Sequence, residues 1–293
     1  MSQFLSIPEE IFLLAIEDNG GISPHSKALD AVLASAVLMD LAIRNRIDSD
    51  LEYLIPVRNE ACSDLFLDEA LHIIFESTEK KSPAYWVARL GMRADEFKEM
   101  LISSLVVKRI LKVENQKVLW LFSSRKYPVV GDTELKEVKT RIRDLVFSNA
   151  LPDLQDMAIV SLIHYGNMES LVFSDAEIIG NKARIEQIAR MDLIGQSISK
   201  ALHELAPGFH LSAKAKEMLG VKTPQEKLDQ LVEEVKIKYH ITKDSDLPDW
   251  LQKGTAQYHK TLEFIEQTGT NDIYYHHVKG EYFLKSRSSA FSM

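Results

Sequence analysis

The chain has 293 residues, 45% apolar and 27% charged, enough to bury a sizeable core in one large domain or two smaller ones. No apolar run approaches the roughly 20 residues of a membrane-spanning helix, and MSQFLSIPEE lacks the basic start and apolar stretch of a secretory signal. A net charge of −8 argues against anionic partners unless the basic residues are gathered in one place.

In chain order, Ser6-Ile7-Pro8-Glu9 reads as a capping box, with Ser6 as cap, Pro8 in the first turn and Glu9 reaching back. The helix behind it carries Ile11, Leu14 and Ala15 on one face and ends at Gly20-Gly21. A second helix spans Ser26 to Ile47; its Ala31–Leu38 stretch is apolar nearly all round, the pattern of a helix enclosed on several sides. It is the expected centre of the fold. A short strand is expected within Leu51–Val57, then helices over Leu67–Phe75, from Ser82-Pro83 to Gly91, and over Ala94–Val106.

Leu111–Val113 and Val118–Phe122 flank Asn115-Gln116 and predict a β-hairpin with a two-residue turn. In that register Leu111 faces Trp120 and Glu114 pairs with Lys117. Helices follow over Asp132–Phe147, Asp153–His164, Ile178–Ala189 (behind a second capping box at Ser174–Glu177) and Ile194–Leu205. Punctuation at Gly220–Pro224 suggests a boundary, giving a helical domain over 1–220 and a C-terminal extension over 221–293. The extension carries a charged helix at Gln225–Tyr239, another at Ala256–Gln267, and strands at Ile273–Tyr275 and Tyr282–Leu284. The fold class expected is mostly α, around a buried central helix with a protruding β-hairpin.

The catalytic motifs are missing: no glycine-rich phosphate loop, no His-Glu-x-x-His and no Gly-x-Ser-x-Gly elbow. One cysteine, Cys62 in a polar loop, excludes an internal disulfide and a cysteine metal site and points to the cytosol. His276 and His277 are neighbours on a strand and face opposite ways, so they hold no metal alone. Adjacent carboxylates such as Glu9-Glu10 and Glu233-Glu234 point about 100° apart on helices and read as solvated charges. No cofactor, metal or catalytic residue is expected, and the chain reads as a binding protein.

Between Lys80 and Lys126, eleven Lys or Arg stand against four Asp or Glu, a local balance of +7 that leaves −15 for the remainder. Basic and aromatic residues interleave there, including Trp86 and Trp120. Two anion-binding readings follow. One is an anionic membrane surface met by Lys and Arg. The other is a winged helix on duplex DNA, against which stand Asp95, Glu96 and Glu99 on the would-be recognition helix. The plainer alternative gives the tryptophans to the core and the charges to water.

The order of segments resembles the Golgi phosphoprotein 3 family. The residues that carry the resemblance are Leu5–Ile16 with Asp18 and Gly20, Leu38–Ile47, Leu67-Asp68-Glu69-Ala70-Leu71, Leu105–Leu111, Tyr127-Pro128-Val129, Asp153 with Ala158–Leu162, and Leu171-Val172-Phe173. Together they cover about residues 4–200. The resemblance implies a non-enzymatic peripheral protein; members in eukaryotes bind phosphatidylinositol 4-phosphate on Golgi membranes and retain glycosyltransferases there. Carried over position by position, the family's headgroup pocket falls on His25, Ala34, Asp95 and Lys98; only Lys98 keeps its charge and Asp95 reverses it. Such departures fit a divergent or bacterial member. The tail from Gly220 has no counterpart.

The expectation is therefore a cytoplasmic protein, peripheral to membranes, that binds anionic lipid through Lys98, Arg89, Lys80, Lys81 and Lys108. Its hairpin residues Glu114, Asn115, Gln116, Lys117 and Trp120 serve membrane contact or homo-oligomerisation. An oligomerising interaction module that never touches lipid is the alternative, and nucleic acid is not an expected partner.

Overall fold

The computed structural model describes residues 5–17, 21–26, 28–50, 52–112, 114–115, 125–126, 129–130, 133–191, 196–205, 219–220, 222–268, 273–276 and 279–284. The chain is mostly helical, and it divides into two compact units, Met1–Leu219 and Gly220–Met293.

In the first unit α1 (Ile7–Ala15) begins at Ser6, and both halves of the capping box are present. α2 (Leu29–Ile43) is the central helix. Every residue from Leu29 to Ala42 is buried, because small side chains such as Ala31, Ala34 and Ala36 let neighbours approach from all sides. Those neighbours are α1, α3 (Leu65–Phe75), α4 (Pro83–Gly91), α5 (Ala94–Val107), α7 (Leu154–Tyr165) and α9 (Gln196–Leu205). α6 (Thr133–Phe147) packs on α1, α7 and α8 (Asp175–Met191). Strands β1 (Ile47–Ser49) and β2 (Leu54–Pro56) pair antiparallel, with Ile47 opposite Pro56.

The ribbon after α5 corrects the expected hairpin register. β3 (Glu114–Asn115) pairs with β4 (Arg125–Lys126), Glu114 opposite Lys126 and Asn115 opposite Arg125, and Leu111 bridges to Val129. Asn115 is thus a strand residue opposite Arg125 and not part of a two-residue turn with Gln116. The returning backbone is anchored where the Val130 amide donates to the Ile110 carbonyl at 2.8 Å, which fixes the register from its root. Gln116, Lys117 and Trp120 lie outside the described residues.

The second unit has its own core. α10 (Pro224–Tyr239) starts from a capping box made by Thr223 and Glu226. α11 (Ala256–Thr268) packs on it, and β5 (Ile273–His276) pairs with β6 (Glu281–Leu284), Ile273 opposite Leu284. Leu228, Leu231, Trp250, Leu251, Ile265 and Ile273 form the buried centre.

Candidate functional site

α5 and the ribbon behind it hold most of the predicted site. Phe97, Leu101 and Leu105 recur every four residues and are buried, so Asp95, Glu96 and Glu99 are turned to solvent. Lys98 lies beside the inward stripe, half-buried. Its ammonium is 2.5 Å from Asp30 on the first turn of α2 and 3.1 Å from Asp95. Burial opposes its charge, but the hydrogen bonds and charges of Asp30 and Asp95 raise its pKa above the ordinary lysine value.

Lys108 caps the far end of α5 and reaches both oxygens of Glu9, at 2.6 and 2.7 Å. Ten residues of helix separate it from Lys98, about 15 Å of rise, so these two do not share a site. Lys81 pairs with Glu79 and lies 5.2 Å from the Tyr85 ring centroid. Arg93 is shared between Glu69 and Glu96. Lys80 and Arg89 are exposed and form no ion pair among the described residues. Of the five predicted headgroup residues, three are therefore neutralised by carboxylates, while Lys80, whose charge acts on Asp50, and Arg89 form no ion pair among the described residues.

The family positions separate in the same way. Ala34 is part of the α2 core, and Asp95 and Lys98 pair with each other. His25 is exposed at a shallow cleft of about 470 Å³, together with Glu17, Ser23 and Lys139.

Two expectations need correcting. Glu9 and Glu10 are not solvated: α1 is enclosed all round, and both are buried. Glu9 accepts from Ser6, Ser104 and Lys108; burial works to raise its pKa, and these partners together hold it below the ordinary value. Glu10 accepts from Arg141 at 2.7 Å and Gln155 at 3.0 Å, yet burial keeps its pKa raised. Arg141 also pairs with Asp156, whose pKa burial raises likewise. Cys62 is buried too, and burial first, then the Asp68 charge, pushes its thiol above the ordinary value.

The feature missing from the expected site lies at the root of the ribbon. Arg109 adopts a left-handed backbone (φ 62°) just past α5. Its amide bonds to the Val106 carbonyl at 3.0 Å, and the Ile110 amide bonds to Leu105 at 2.9 Å, closing a Schellman motif around a non-glycine residue. The turn leaves Arg109 exposed with no ion pair among the described residues, Val107 82% exposed and Val130 on the returning segment 56% exposed. Two signals in the sequence point here: Val107 falls off the Phe97/Leu101/Leu105 stripe, and α5 ends without a glycine.

Comparison with known families decides the kinship. The sequence matches the Golgi phosphoprotein 3 (GPP34) model over residues 7–205. The chain belongs to the Golgi phosphoprotein 3 family. No curated protein matches it. The family match runs from the first residue of α1 to the last of α9, so α10, α11 and both strands of the second unit fall outside it. Within the Golgi phosphoprotein 3 span, as elsewhere among the described residues, no helix is long and apolar enough to cross a membrane. No group of three or more His, Cys, Asp or Glu that could hold a metal occurs among the described residues.

Proposed function

We propose that this chain is a non-enzymatic peripheral membrane adaptor that meets anionic lipid surfaces through the root of its β3–β4 ribbon. The observation that carries the reading is the exposed Arg109, which forms no ion pair among the described residues, two positions after exposed Val107 and near exposed Val130 on the returning segment. A cation next to apolar side chains suits a bilayer interface, where lipid phosphates take the charge and the headgroup boundary takes the valines. Lys80 and Arg89 add attraction from the same segment. Lys81, Lys98 and Lys108 contribute less, since each already has a carboxylate partner. Family membership supports an adaptor over an enzyme, and the exposed Asp95, Glu96 and Glu99 repel a duplex phosphate backbone.

Flotation with vesicles containing phosphatidylserine tests it. Binding is expected to weaken with salt, to fall about threefold to tenfold in Arg109→Gly, and to fall further in Val107→Asp, as loss of about 1 kcal/mol per surface cation implies. Arg109→Gly is also expected to stabilise the fold, because it relieves a left-handed non-glycine residue that costs about 1–2 kcal/mol. Weaker flotation with a higher melting temperature separates a binding defect from misfolding. Salt-insensitive flotation, or an Arg109→Gly protein that floats as well as the parent, rejects the lipid reading. A mass in light scattering that doubles without lipid would instead favour pairing between copies along an open ribbon edge.

A further inference from the structure

The second unit contains a cleft of about 640 Å³ between the later turns of α10, the segment from Ile241 to Trp250, and β5. That volume lies within the roughly 300–1,000 Å³ of small-molecule sites. Its floor is apolar: Leu231 and Ile273 are buried beneath it, flanked by Val235. Its walls are aromatic. Trp250 and Tyr275 have ring centroids 6.4 Å apart and planes inclined by 34°. Tyr239 and Tyr274 also border the cleft while staying largely exposed.

Among the described residues three charged side chains line it: Glu234, Asp246 and Lys238. Neither carboxylate forms an ion pair among the described residues. Glu234 accepts from the Gln230 amide at 2.7 Å, and Asp246 from the Ser245 hydroxyl at 3.2 Å. The ammonium of Lys238 lies 5.4 Å from the Tyr239 ring centroid, so a ring of this wall already faces a cation.

We propose that this cleft binds a small organic cation with an apolar body. Aromatic faces carry the negative lobe of the ring quadrupole and attract cations. Two carboxylates against one ammonium leave the lining one charge negative, which repels an anion and welcomes a monocation. The apolar floor then takes the body of the ligand out of water. A neutral molecule of the same shape would gain only this last contribution.

Calorimetry on the full-length chain with benzyltrimethylammonium as probe, and phenylacetate as an anion of similar size, tests the assignment. Saturable one-site binding of the cation is expected, with phenylacetate weaker by about tenfold or more, as two carboxylates at contact distance require. The double variant Glu234→Gln/Asp246→Asn is expected to lose about tenfold in affinity for the cation by the same argument. Tyr274→Ala is expected to lose about threefold, the size of one exposed cation–π contact. These three side chains are exposed, so the variants are expected to fold, and circular dichroism is the check on each before titration. No saturable heat from the cation, equal binding of phenylacetate, or an unchanged affinity in the folded double variant would overturn the proposal.

Discussion

Glu9 is 0% exposed, at a position where a carboxylate is tolerable only because its charge is matched atom by atom. Ser6 donates its backbone amide at 2.9 Å, Ser104 its hydroxyl at 2.7 Å, and Lys108 its ammonium, while the first turn of α1 contributes its positive end. Glu9→Gln removes the charge and deprives half-buried Lys108 of its bonded carboxylate, leaving only the more distant charge of Asp64, so a loss of up to about 3–5 kcal/mol is expected at neutral pH. The pH dependence has a definite sign. Because the folded value lies below the ordinary 4.5, the contribution of Glu9 is present above 4.5 and fades as pH falls through the folded value. Glu10 has the opposite sign: its raised value adds stability at low pH and loses it as pH rises through the folded value. Urea unfolding of parent and Glu9→Gln proteins at about pH 7 and about pH 3 should therefore show a gap that shrinks in acid. A gap of equal size at both pH values would mean that folding leaves the pKa of Glu9 unchanged, and a gap that grows in acid would mean that Glu9 is protonated in the fold. Nothing local in the sequence reveals this pair. The helical argument that neighbours diverge by about 100° assumes that one direction is water. Here both directions are protein, and the partners Lys108 and Arg141 lie 99 and 131 residues away.

α7 ends in close approach to α2. A Cβ added at Gly166 would lie 2.5 Å from the Val32 side chain and 2.8 Å from the Leu162 carbonyl. The glycine is needed for space, since its φ of −81° suits any residue. Gly166→Ala is expected to destabilise by about 1–3 kcal/mol by forcing the two helices apart. Gly180, in the exposed middle of α8, meets nothing within 4 Å, and Gly180→Ala is expected to stabilise by about 0.5–1 kcal/mol. Thermal melts of the two variants should shift in opposite directions; a common direction would refute the close approach at Gly166. The sequence makes the same distinction only in part. The all-round apolar run at Ala31–Leu38 announces an enclosed helix, as α2 proves to be, and the Ser6–Glu9 capping pattern marks the true start of α1. The ribbon was less legible, because Asn115-Gln116 satisfies the local chemistry of a tight turn. Tertiary anchoring of the returning segment at Ile110 and Leu111 then places Asn115 opposite Arg125 instead. The candidate site was legible as a basic stretch, but sequence cannot show which bases already have a carboxylate, and that is what separates Lys98 and Lys108 from Arg109.

At the scale of the whole chain the described residues form two hydrophobic cores, one within each compact unit. The smaller is built from helix, loop and hairpin. Leu228 and Leu231 of α10 pack with Leu251, Ile265 and Ile273, and Thr261 hydrogen-bonds the Trp250 carbonyl at 2.7 Å and the Tyr282 hydroxyl at 2.8 Å. That buried link ties loop, α11 and β6 together, so they should unfold in one step. A domain of this size seldom gains more than about 3–5 kcal/mol from its core. We therefore expect residues 220–293, expressed alone, to unfold cooperatively but with modest stability, at or below that figure. Trp250 is the single tryptophan in the fragment and is mostly buried, which gives urea denaturation a clean fluorescence signal. Thr261→Val should lower the unfolding free energy by about 1–3 kcal/mol and the urea midpoint with it, since it leaves a buried carbonyl and a hydroxyl short of a partner. A drifting signal with no sigmoidal transition, or a Thr261→Val fragment as stable as its parent, would mean that this core does not hold together on its own contacts.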